Sequence, residues 1–246
     1  MEAGKTALVT GALGVLGQAI VEMFLEDGFR IVLVDLDQDK LDAYCQKFPS
    51  GKLLPMACDI SKPAEVDAIV TRIREKWQSV DILVNNAGIL SNNKALQTTP
   101  GEWRQVLAVN LDGAFYFARA FMEDMKSKRW GRIVNITSLA AKTGGITAGT
   151  AYSVSKGALI ALTFSLAAEL APFGVTVNGI APAYVRTPMV MSQLTEEQRQ
   201  AVIKKIPVNR FCEAKEVAHT VRFLVHPLAG FITGEIIDQN GGLQFD

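Results

Sequence analysis

The sequence has no excess of charge of either sign, because 25 Lys and Arg residues balance 25 Asp and Glu residues among its 246 residues. Proteins that bind nucleic acid or an anionic membrane surface usually concentrate positive charge. We therefore expect neither nucleic acid nor a membrane as a partner. Charged residues make up only 20% of the chain and hydrophobic residues 49%, which is typical of a globular protein with a large core.

Long apolar runs and cysteine pairs are also missing. No run approaches the ~18 uninterrupted apolar residues of a membrane helix, and residues 1–10 lack the regions of a signal peptide. Cys45, Cys58 and Cys212 are odd in number, widely separated and without a CxxC spacing. They predict free thiols in the reducing cytoplasm, with neither a disulfide framework nor a metal site.

The chain does contain a regular alternation of short β-branched runs with longer stretches of helical period. The predicted strands are Thr6–Thr10, Ile31–Asp35, Leu53–Ala57, Ile82–Asn85, Arg132–Thr137, Val175–Ile180 and Ile232–Ile237. The predicted helices are Val15–Asp27, Gln38–Phe48, Pro63–Gln78, Pro100–Ser127, Ala151–Phe173 and Ala214–Leu224. Continuous apolar strands indicate a parallel sheet covered on both faces. We expect an α/β fold, with one domain over 1–246 and a doubly wound, seven-stranded parallel sheet between two layers of helices.

One long irregular segment, Ala183–Arg210, follows the sixth predicted strand. It contains a short predicted helix, Thr195–Lys205, with Glu196 and Glu197 in its first turn. Irregular segments of this length are often functional. Its position after the carboxyl end of a strand predicts a lid over the substrate.

A glycine-rich loop, Thr10–Gly17, lies between the first strand and the first helix. Glycines three residues apart allow a tight turn and close approach to a pyrophosphate, and the helix N-terminus supplies N–H groups. This context favours a dinucleotide site over a glycine-rich turn without a ligand. The cofactor-binding residues predicted here are Gly11, Leu13, Gly14, Val15, Leu16 and Gly17.

Asp35 ends the second strand and is followed by Leu36. A carboxylate at this position can accept hydrogen bonds from both adenosine ribose hydroxyls and would repel a 2′-phosphate. The glycine loop offers no Lys or Arg to neutralise that phosphate, so we expect NAD rather than NADP. The alternative is that Asp35 caps the second helix, although Asp37 is better placed to do so.

Ser138, Tyr152 and Lys156 form a second constellation. Tyr152 and Lys156 share one face of a predicted helix, where an ammonium would lower the pKa of the phenol toward the range that acid–base catalysis needs. Ser138 ends a strand, so its hydroxyl can point into the crevice above the sheet. The same Tyr–Lys spacing also occurs on surface helices that have no catalytic role.

In these residues the chain resembles the short-chain dehydrogenase/reductase family over essentially its whole length. The matching motifs are the Thr10–Gly17 loop, Cys58-Asp59-Ile60, Asn85-Asn86-Ala87-Gly88, Asn110, Ser138, Tyr152–Lys156, Asn178–Pro182, Ile232-Thr233-Gly234 and Asn240-Gly241-Gly242. The resemblance implies a Rossmann-type fold and a secondary alcohol or ketone as substrate. Two features depart from the usual family pattern: the middle glycine, Gly14, comes one position early, and Ala183 replaces a glycine.

The resemblance also implies roles for single residues. Tyr152 would be the general acid/base, Ser138 would hold the substrate oxygen, and Lys156 would bind the nicotinamide ribose. Asn110 would hold a water that continues the proton path, and Asp59 would bond the adenine amino group beside Ile60. The remaining cofactor contacts implied are Asn86, Ala87, Gly88, Pro182, Val185 and Thr187.

We therefore expect an NAD-dependent oxidoreductase that interconverts a secondary alcohol and a ketone. Two alternatives stay open: a 3-oxoacyl-[acyl-carrier-protein] reductase, and a protein that binds NAD as a sensor. Biosynthetic reduction normally uses NADPH, so Asp35 opposes the reductase, and the intact catalytic set opposes the sensor. A basic cluster that could dock an acidic carrier protein, or be a solvated helix end, comprises Lys126, Lys128, Arg129 and Arg132. We expect His219 and His226 to be structural.

The substrate pocket is predicted less sharply. Its candidate residues are Leu90, Leu139, Ala140, Lys142, Gly145, Tyr184, Met189 and Met191. Lys142 suggests an anionic group on the substrate.

Two long helices, Pro100–Ser127 and Ala151–Phe173, carry apolar residues on more than one face, which predicts contact with a second copy. These residues are Phe115, Phe117, Phe121, Met122, Leu159, Leu162, Phe164 and Leu166. With the apolar tail residues Leu243 and Phe245, they predict a homotetramer, and a dimer is the next choice. The alternative is that the surplus apolar surface lies under the lid.

Overall fold

A parallel sheet of seven strands forms the centre of the computed structural model, which describes residues 4–49, 51–145, 147–193 and 195–245. The strands are β1 Thr6–Thr10, β2 Arg30–Asp35, β3 Leu53–Ala57, β4 Ile82–Asn85, β5 Gly131–Ile136, β6 Val175–Pro182 and β7 Ile236–Gln239. Their order is β3-β2-β1-β4-β5-β6-β7, with every neighbouring pair parallel. The order reverses between β1 and β4, and ligands of such sheets bind at this point, outside the carboxyl ends of the strands.

Helices cover both faces of the sheet. They are α1 Val15–Glu26, α2 Gln38–Cys45, α3 Pro63–Trp77, α4 Pro100–Leu107, α5 Gly113–Lys128, α6 Ala140–Thr143, α7 Thr150–Leu170, α8 Pro188–Gln193, α9 Glu196–Lys205 and α10 Ala214–Val225. One core layer joins α1 and α10 to the sheet, and the other joins α3, α5 and α7. The prediction of a doubly wound, seven-stranded α/β fold is confirmed.

The long helix predicted over Pro100–Ser127 is wrong as a continuous α-helix. A π-helical turn, Ala108–Asp112, separates α4 from α5, and the N–H of Gly113 bonds to the Ala108 carbonyl five residues earlier. Such wide turns occur mostly at functional sites. This one contains Asn110, which the sequence had singled out.

The last strand begins later than predicted, at Ile236 instead of Ile232. The side chain of Thr233 accepts a hydrogen bond from the Val177 N–H at 3.1 Å and thus replaces a ladder bond. Gly234 then turns the chain with φ of 74° before pairing with β6 begins.

The segment Thr150–Phe173 is long and apolar enough to cross a membrane by length and composition. In this fold it packs on the sheet, with Ser155, Lys156 and Thr163 buried. Buried polar side chains that face a sheet are typical of a core helix.

Candidate active site

A cleft of about 1200 Å³ opens at the carboxyl ends of the strands. The glycine loop, the end of β2, the segment after β4, the end of β5 and the start of α7 all contribute to its walls. The predicted lid closes another side through Tyr184, Thr187, Val190 and Val202. Pockets for single small ligands usually measure ~300–1,000 Å³. The cleft therefore has room for a dinucleotide and a second small molecule.

Two of the loop glycines lie where a side chain would not fit. A Cβ on Gly17 would lie 2.1 Å from the Gly11 carbonyl oxygen, and a Cβ on Gly11 would lie 2.9 Å from the Ala87 Cα atom. Gly11 also has a φ of 64°, which L side chains rarely adopt. The loop is thus pressed against α1 on one side and against the end of β4 on the other.

The N-terminus of α1 faces the same cleft. Within the described residues, its N-cap Gly14 makes no side-chain cap, and the first turn carries no acidic residue. Unsatisfied N–H groups at a helix start favour an anion such as a phosphate. The glycine loop and the start of α1 together fit the pyrophosphate of a dinucleotide. Gly14 nevertheless lies one position earlier than the middle glycine of the usual family pattern.

Asp35 lines the cleft and also holds the loop. Its carboxylate accepts from the N–H of Leu13 at 2.9 Å and from the N–H of Leu36 at 2.8 Å. Asp37 caps α2 through the N–H of Lys40, as the sequence suggested. Lys40 also lines the cleft, a position that the sequence analysis missed, and its ammonium lies 2.7 Å from the Asp37 carboxylate.

The other predicted cofactor residues line the cleft too, but their side chains have further partners. The Asn86 amide donates to the carbonyls of Thr10 and Gly11, at 2.9 and 3.1 Å, so it braces the glycine loop. Asp59 accepts from the Ser61 hydroxyl at 2.6 Å, which lowers the pKa of its carboxyl. A Cβ on Gly88 would lie 3.3 Å from the Lys156 Nζ atom. The described cleft walls also contain Ile60, Ala87, Pro182, Val185 and Thr187.

The structure brings Ser138, Tyr152 and Lys156 together in the cleft. The Ser138 hydroxyl accepts from the Ala140 N–H at 3.1 Å and lies close enough to the Tyr152 side chain to lower the pKa of the phenol. Lys156 is buried and donates to the Ile136 carbonyl at 2.8 Å. Two hydroxyls in the wall of one cleft can both form hydrogen bonds to an oxygen atom of a ligand.

Burial has the largest effect on the pKa values of Tyr152 and Lys156. It raises the pKa of Tyr152 above its usual 10.0, and the nearby Ser138 hydroxyl opposes this shift only in part. Burial also lowers the pKa of Lys156 to about 8. The expectation that Lys156 lowers the pKa of Tyr152 is therefore not met, because burial outweighs the other influences on the phenol.

Asn110 is buried, and both polar atoms of its side chain form hydrogen bonds within the protein. Its amide oxygen accepts from the Ile89 N–H at 2.8 Å. Its amide nitrogen donates to the Ile89 carbonyl and to the Ser155 hydroxyl, both at 3.0 Å. The expected water contact would thus fall to the backbone of the π-helical turn.

Only part of the predicted substrate pocket is found. Leu90, Leu139, Ala140 and Tyr184 line the cleft. Lys142 does not, because its ammonium lies 2.7 Å from the Asp238 carboxylate on β7. Gly145 is buried outside the lining, Met191 does not contribute, and the side chain of Met189 lies outside what the structure describes.

Several lining residues were missed by the sequence analysis. They are Asn92, Gln105, Val109, Thr143, Thr147, Ala148, Val190, Val202, Lys205, Leu243 and Gln244. Thr143, Thr147 and Ala148 lie between Ser138 and Tyr152 in the sequence, and that position was the available signal. Leu243, which the sequence analysis placed only at a subunit interface, also lines the cleft.

The lid is fastened at its base. The Cys212 N–H donates to the Tyr184 carbonyl at 3.2 Å, and the Arg186 N–H donates to the Cys212 carbonyl at 2.8 Å. Tyr184 has a φ of 44°, uncommon for a tyrosine, and its ring lies 6.2 Å from that of Phe211. The backbone next to Ala183 does enter the left-handed region, one residue later than the usual glycine.

The basic cluster lies near the amino end of β5, whereas the cleft lies at the carboxyl ends of the strands. Lys126 pairs with Glu123 at 2.8 Å and Lys128 with Asp81 at 2.7 Å. Arg129 donates to the Pro172 carbonyl at 3.1 Å, and Arg132 is buried. Among these four cations, none is free for a partner. His226 accepts from the Leu228 N–H at 3.1 Å, which is a structural role.

The chain as a whole is similar to known reductases and dehydrogenases. Residues 11–244 match the family model described as enoyl-(acyl carrier protein) reductase. A 3-oxoacyl-[acyl-carrier-protein] reductase of Vibrio cholerae is 37% identical over 98% of this chain and 97% of its own. The Escherichia coli protein of the same name is 36% identical over the same shares.

Solved structures are equally similar in fold. A glucose/ribitol dehydrogenase of the short-chain dehydrogenase/reductase type from Brucella melitensis has a TM-score of 0.91 at 32% identity, covering 98% of this chain and 97% of its own. A 3-oxoacyl-[acyl-carrier protein] reductase from the same species has a TM-score of 0.92 at 34% identity, covering 98% and 92%. A putative gluconate dehydrogenase from Agrobacterium tumefaciens has a TM-score of 0.93 at 32% identity, covering 98% and 96%.

Proposed function

Because this chain belongs to the short-chain dehydrogenase/reductase family of oxidoreductases, we propose that it interconverts a secondary alcohol and a ketone with NAD(H). The observation that carries the proposal is the placement of Ser138, Tyr152 and buried Lys156 together in the wall of one cleft. Members of this family act on small molecules and use a nicotinamide cofactor, which supplies the hydride chemistry when bound.

The chain's own residues handle the proton. We assign the substrate oxygen to a position between the two hydroxyls, where Ser138 donates to it and orients it. Tyr152 gives a proton to that oxygen during reduction and removes it during oxidation. The high pKa of Tyr152 keeps the phenol protonated at neutral pH, which suits reduction of a ketone.

Lys156 adjusts this proton transfer. With a pKa of about 8, its ammonium can exchange a proton near physiological pH. The backbone carbonyl of Asn110 is the proposed site of a relaying water, since the side chain is occupied by Ile89 and Ser155. The water-poor interior around Lys156 makes its charge more effective than it would be in solvent.

NAD rather than NADP is proposed on the charges at the end of β2. A 2′-phosphate would have to lie against the carboxylate of Asp35, and burial of such like charges is costly. The cation nearest in sequence, Lys40, is paired with Asp37. Asp35 has lone pairs left for ribose hydroxyls after it accepts from Leu13 and Leu36.

A 3-oxoacyl thioester is the second candidate substrate. The names of the Vibrio cholerae and Escherichia coli relatives support it, since they match 98% of the chain. The internal pairing of the basic cluster speaks against docking of an acidic carrier at that face. A sensor that only binds NAD is disfavoured, because Ser138, Tyr152, Lys156 and Asn110 are all present.

A homotetramer is also part of the proposal, since family members commonly oligomerise. Phe117 and Phe121 are fully buried in the core and give it no support. Phe115, Val154 and Phe164 remain 40 to 49% exposed on α5 and α7. A second apolar surface carries Leu228, Phe231 and Phe245, which are at least 87% exposed. A cytoplasmic location is proposed on the free state of the three cysteines.

One set of assays tests the proposal. NADH formation should be followed with sugar alcohols, hydroxy acids and cyclic alcohols, and NADH and NADPH oxidation with 3-oxoacyl thioesters and the matching ketones. Turnover of a small alcohol with NAD supports the first candidate. Turnover confined to 3-oxoacyl thioesters supports the second, and binding of NADH without any turnover would leave only the sensor.

A further inference from the structure

Two loops on the rim of the cleft are joined by hydrogen bonds that the catalytic set does not explain. The first follows β4, and we call residues 89–99 the β4 loop. The second ends at the start of α7, and its described residues Gly145, Thr147, Ala148 and Gly149 are called the α7 entry loop. Thr147 and Ala148 line the cleft, and Tyr152 follows within the first turn of α7.

Lys94 of the β4 loop joins the two. Its Nζ atom donates to the Gly145 carbonyl and to the Ala148 carbonyl, both at 2.7 Å. One ammonium therefore holds both sides of the α7 entry loop. Carbonyl oxygens are acceptors only, so a cation with several donors can hold two of them together.

Backbone contacts continue this connection to the start of α7. The Gly149 N–H donates to the Ser91 carbonyl at 2.7 Å, and the Thr150 N–H donates to the Asn93 carbonyl at 3.0 Å. Ser91 and Asn93 are in turn held by Glu102 of α4 through their side chains. The first N–H groups of α7 are thus satisfied by the β4 loop instead of a side-chain cap.

The two loops approach closely enough to need glycine. A Cβ on Gly149 would lie 2.5 Å from the Asn93 carbonyl oxygen. A Cβ on Gly145, which has a φ of 79°, would lie 2.3 Å from the Ser153 hydroxyl. Both positions indicate that the α7 entry loop is built to be pressed onto its neighbours.

We propose that Lys94 is a positioning residue, and this rests on the proposed function. By holding the Gly145 and Ala148 carbonyls, it fixes the α7 entry loop against the β4 loop. The start of α7, and with it the Tyr152 hydroxyl, is thereby set opposite Ser138. Lys94 touches neither substrate nor cofactor in this role, so its loss changes geometry and leaves the acid–base groups in place.

The test compares Lys94→Met, which removes the donors, with Lys94→Arg, which keeps them. Lys94 is an exposed residue, so both variants should fold. Lys94→Met should lower kcat/KM for the alcohol by about tenfold, since small displacements of reacting groups cost at least that much. The Kd for NADH should change less than about twofold, because the glycine loop lies elsewhere. Lys94→Arg should retain more activity than Lys94→Met.

A second readout does not need activity. Hydrogen–deuterium exchange at the amides of Gly149 and Thr150 should be faster in Lys94→Met than in the wild type. Gly149→Ala disturbs the same contact from the α7 entry loop, because its side chain would press on the Asn93 carbonyl. It should therefore also speed exchange at the Thr150 amide and lower kcat/KM. Lys76→Met, on the exposed side of α3, is the matched control and should match the wild type in both measurements.

The outcomes separate the two proposals. Unchanged kcat/KM in Lys94→Met, or equal losses in the Met and Arg variants, would overturn the positioning role. If the wild type turns over no alcohol or ketone, the proposed function fails. Faster exchange at Gly149 and Thr150 would then still support the fixing of the loop by Lys94.

Discussion

The Lys156 ammonium lies 5.9 Å from the centre of the Tyr152 ring, yet it donates its hydrogen bond to the Ile136 carbonyl and not to the phenol. The two groups are therefore neighbours rather than a hydrogen-bonded pair. Burial acts on both and disfavours the charged form of each. Because burial lowers the pKa of Lys156, its protonation should be measurable through the pH dependence of the free energy of unfolding.

The first prediction concerns the pH dependence of that stability. Lys156 has a pKa of about 8 in the folded chain against a usual 10.5, so the unfolded chain binds more protons between these values. The free energy of unfolding should rise with pH across this window.

The contribution of Lys156 should reach about 1 kcal/mol per pH unit at most. Urea unfolding between pH 8 and 9.5, below the raised pKa of Tyr152, should give a smaller slope for Lys156→Met than for the wild type. Lys76→Met is the control and should keep the wild-type slope. Equal slopes for Lys156→Met and the wild type would contradict the lowered pKa.

Tyr152→Phe should abolish turnover and leave NADH binding nearly intact. The ring keeps its packing, and only the hydroxyl that transfers the proton is lost. General acid–base groups contribute ~10²–10⁴-fold to rates, so kcat should fall by at least about a hundredfold. Steady-state kinetics and NADH fluorescence titration measure the two effects. A variant that retained more than about a tenth of kcat would remove Tyr152 from its assigned role.

Cofactor choice should depend on Asp35. Asp35→Ser should weaken NAD binding and improve the use of NADP relative to NAD, because the carboxylate no longer repels a 2′-phosphate. The ratio of kcat/KM values for the two cofactors is the measurement. Asp39→Ser, on the exposed side of α2, serves as the control. A wild type that prefers NADP would refute the assignment of Asp35.

Assembly should depend on α5 and α7. Phe164→Glu places a charge on an apolar surface that is 49% exposed in the single chain, and it should convert a tetramer into smaller species. Light scattering at micromolar concentration reads the mass directly. Leu96→Glu changes an equally apolar side chain that is 96% exposed on the β4 loop, and it should leave the mass unchanged. A wild-type mass near 27 kDa would reject oligomerisation altogether.

The sequence predicted most of the sheet because the signals of its strands are local, and the family resemblance predicted the grouping of Ser138, Tyr152 and Lys156. A continuous β-branched run is buried by the strands beside it, and the Thr10–Gly17 loop carries its own turn chemistry. The π-helical turn was not predictable, because the apolar pattern continues through Ala108–Asp112 while the hydrogen-bonding partner shifts by one residue. Asn110 was identified through the family resemblance, but its hydrogen bonds to Ile89 were not predicted.

The errors in the substrate pocket have a common cause. Lys142 was expected to face the substrate, but its partner, Asp238, lies 96 residues further along the chain. Leu243 joins the cleft wall from the other end of the sequence. Such pairings depend on which strand ends are neighbours in the folded sheet, and no local pattern encodes them. Lys94 was missed for the same reason, since its acceptors are more than 50 residues away.

The fastened base of the lid has a consequence for how new specificities arise. Two hydrogen bonds that Tyr184 and Arg186 form with Cys212 hold the ends of the intervening segment together. Insertions into a loop whose ends are already fixed cost little free energy, because closure entropy grows only slowly with length. The segment can therefore be lengthened, shortened or transplanted from a relative as one cassette while the sheet keeps the proton-transfer residues in place. We therefore expect the length of this segment to vary without displacing Ser138, Tyr152 and Lys156.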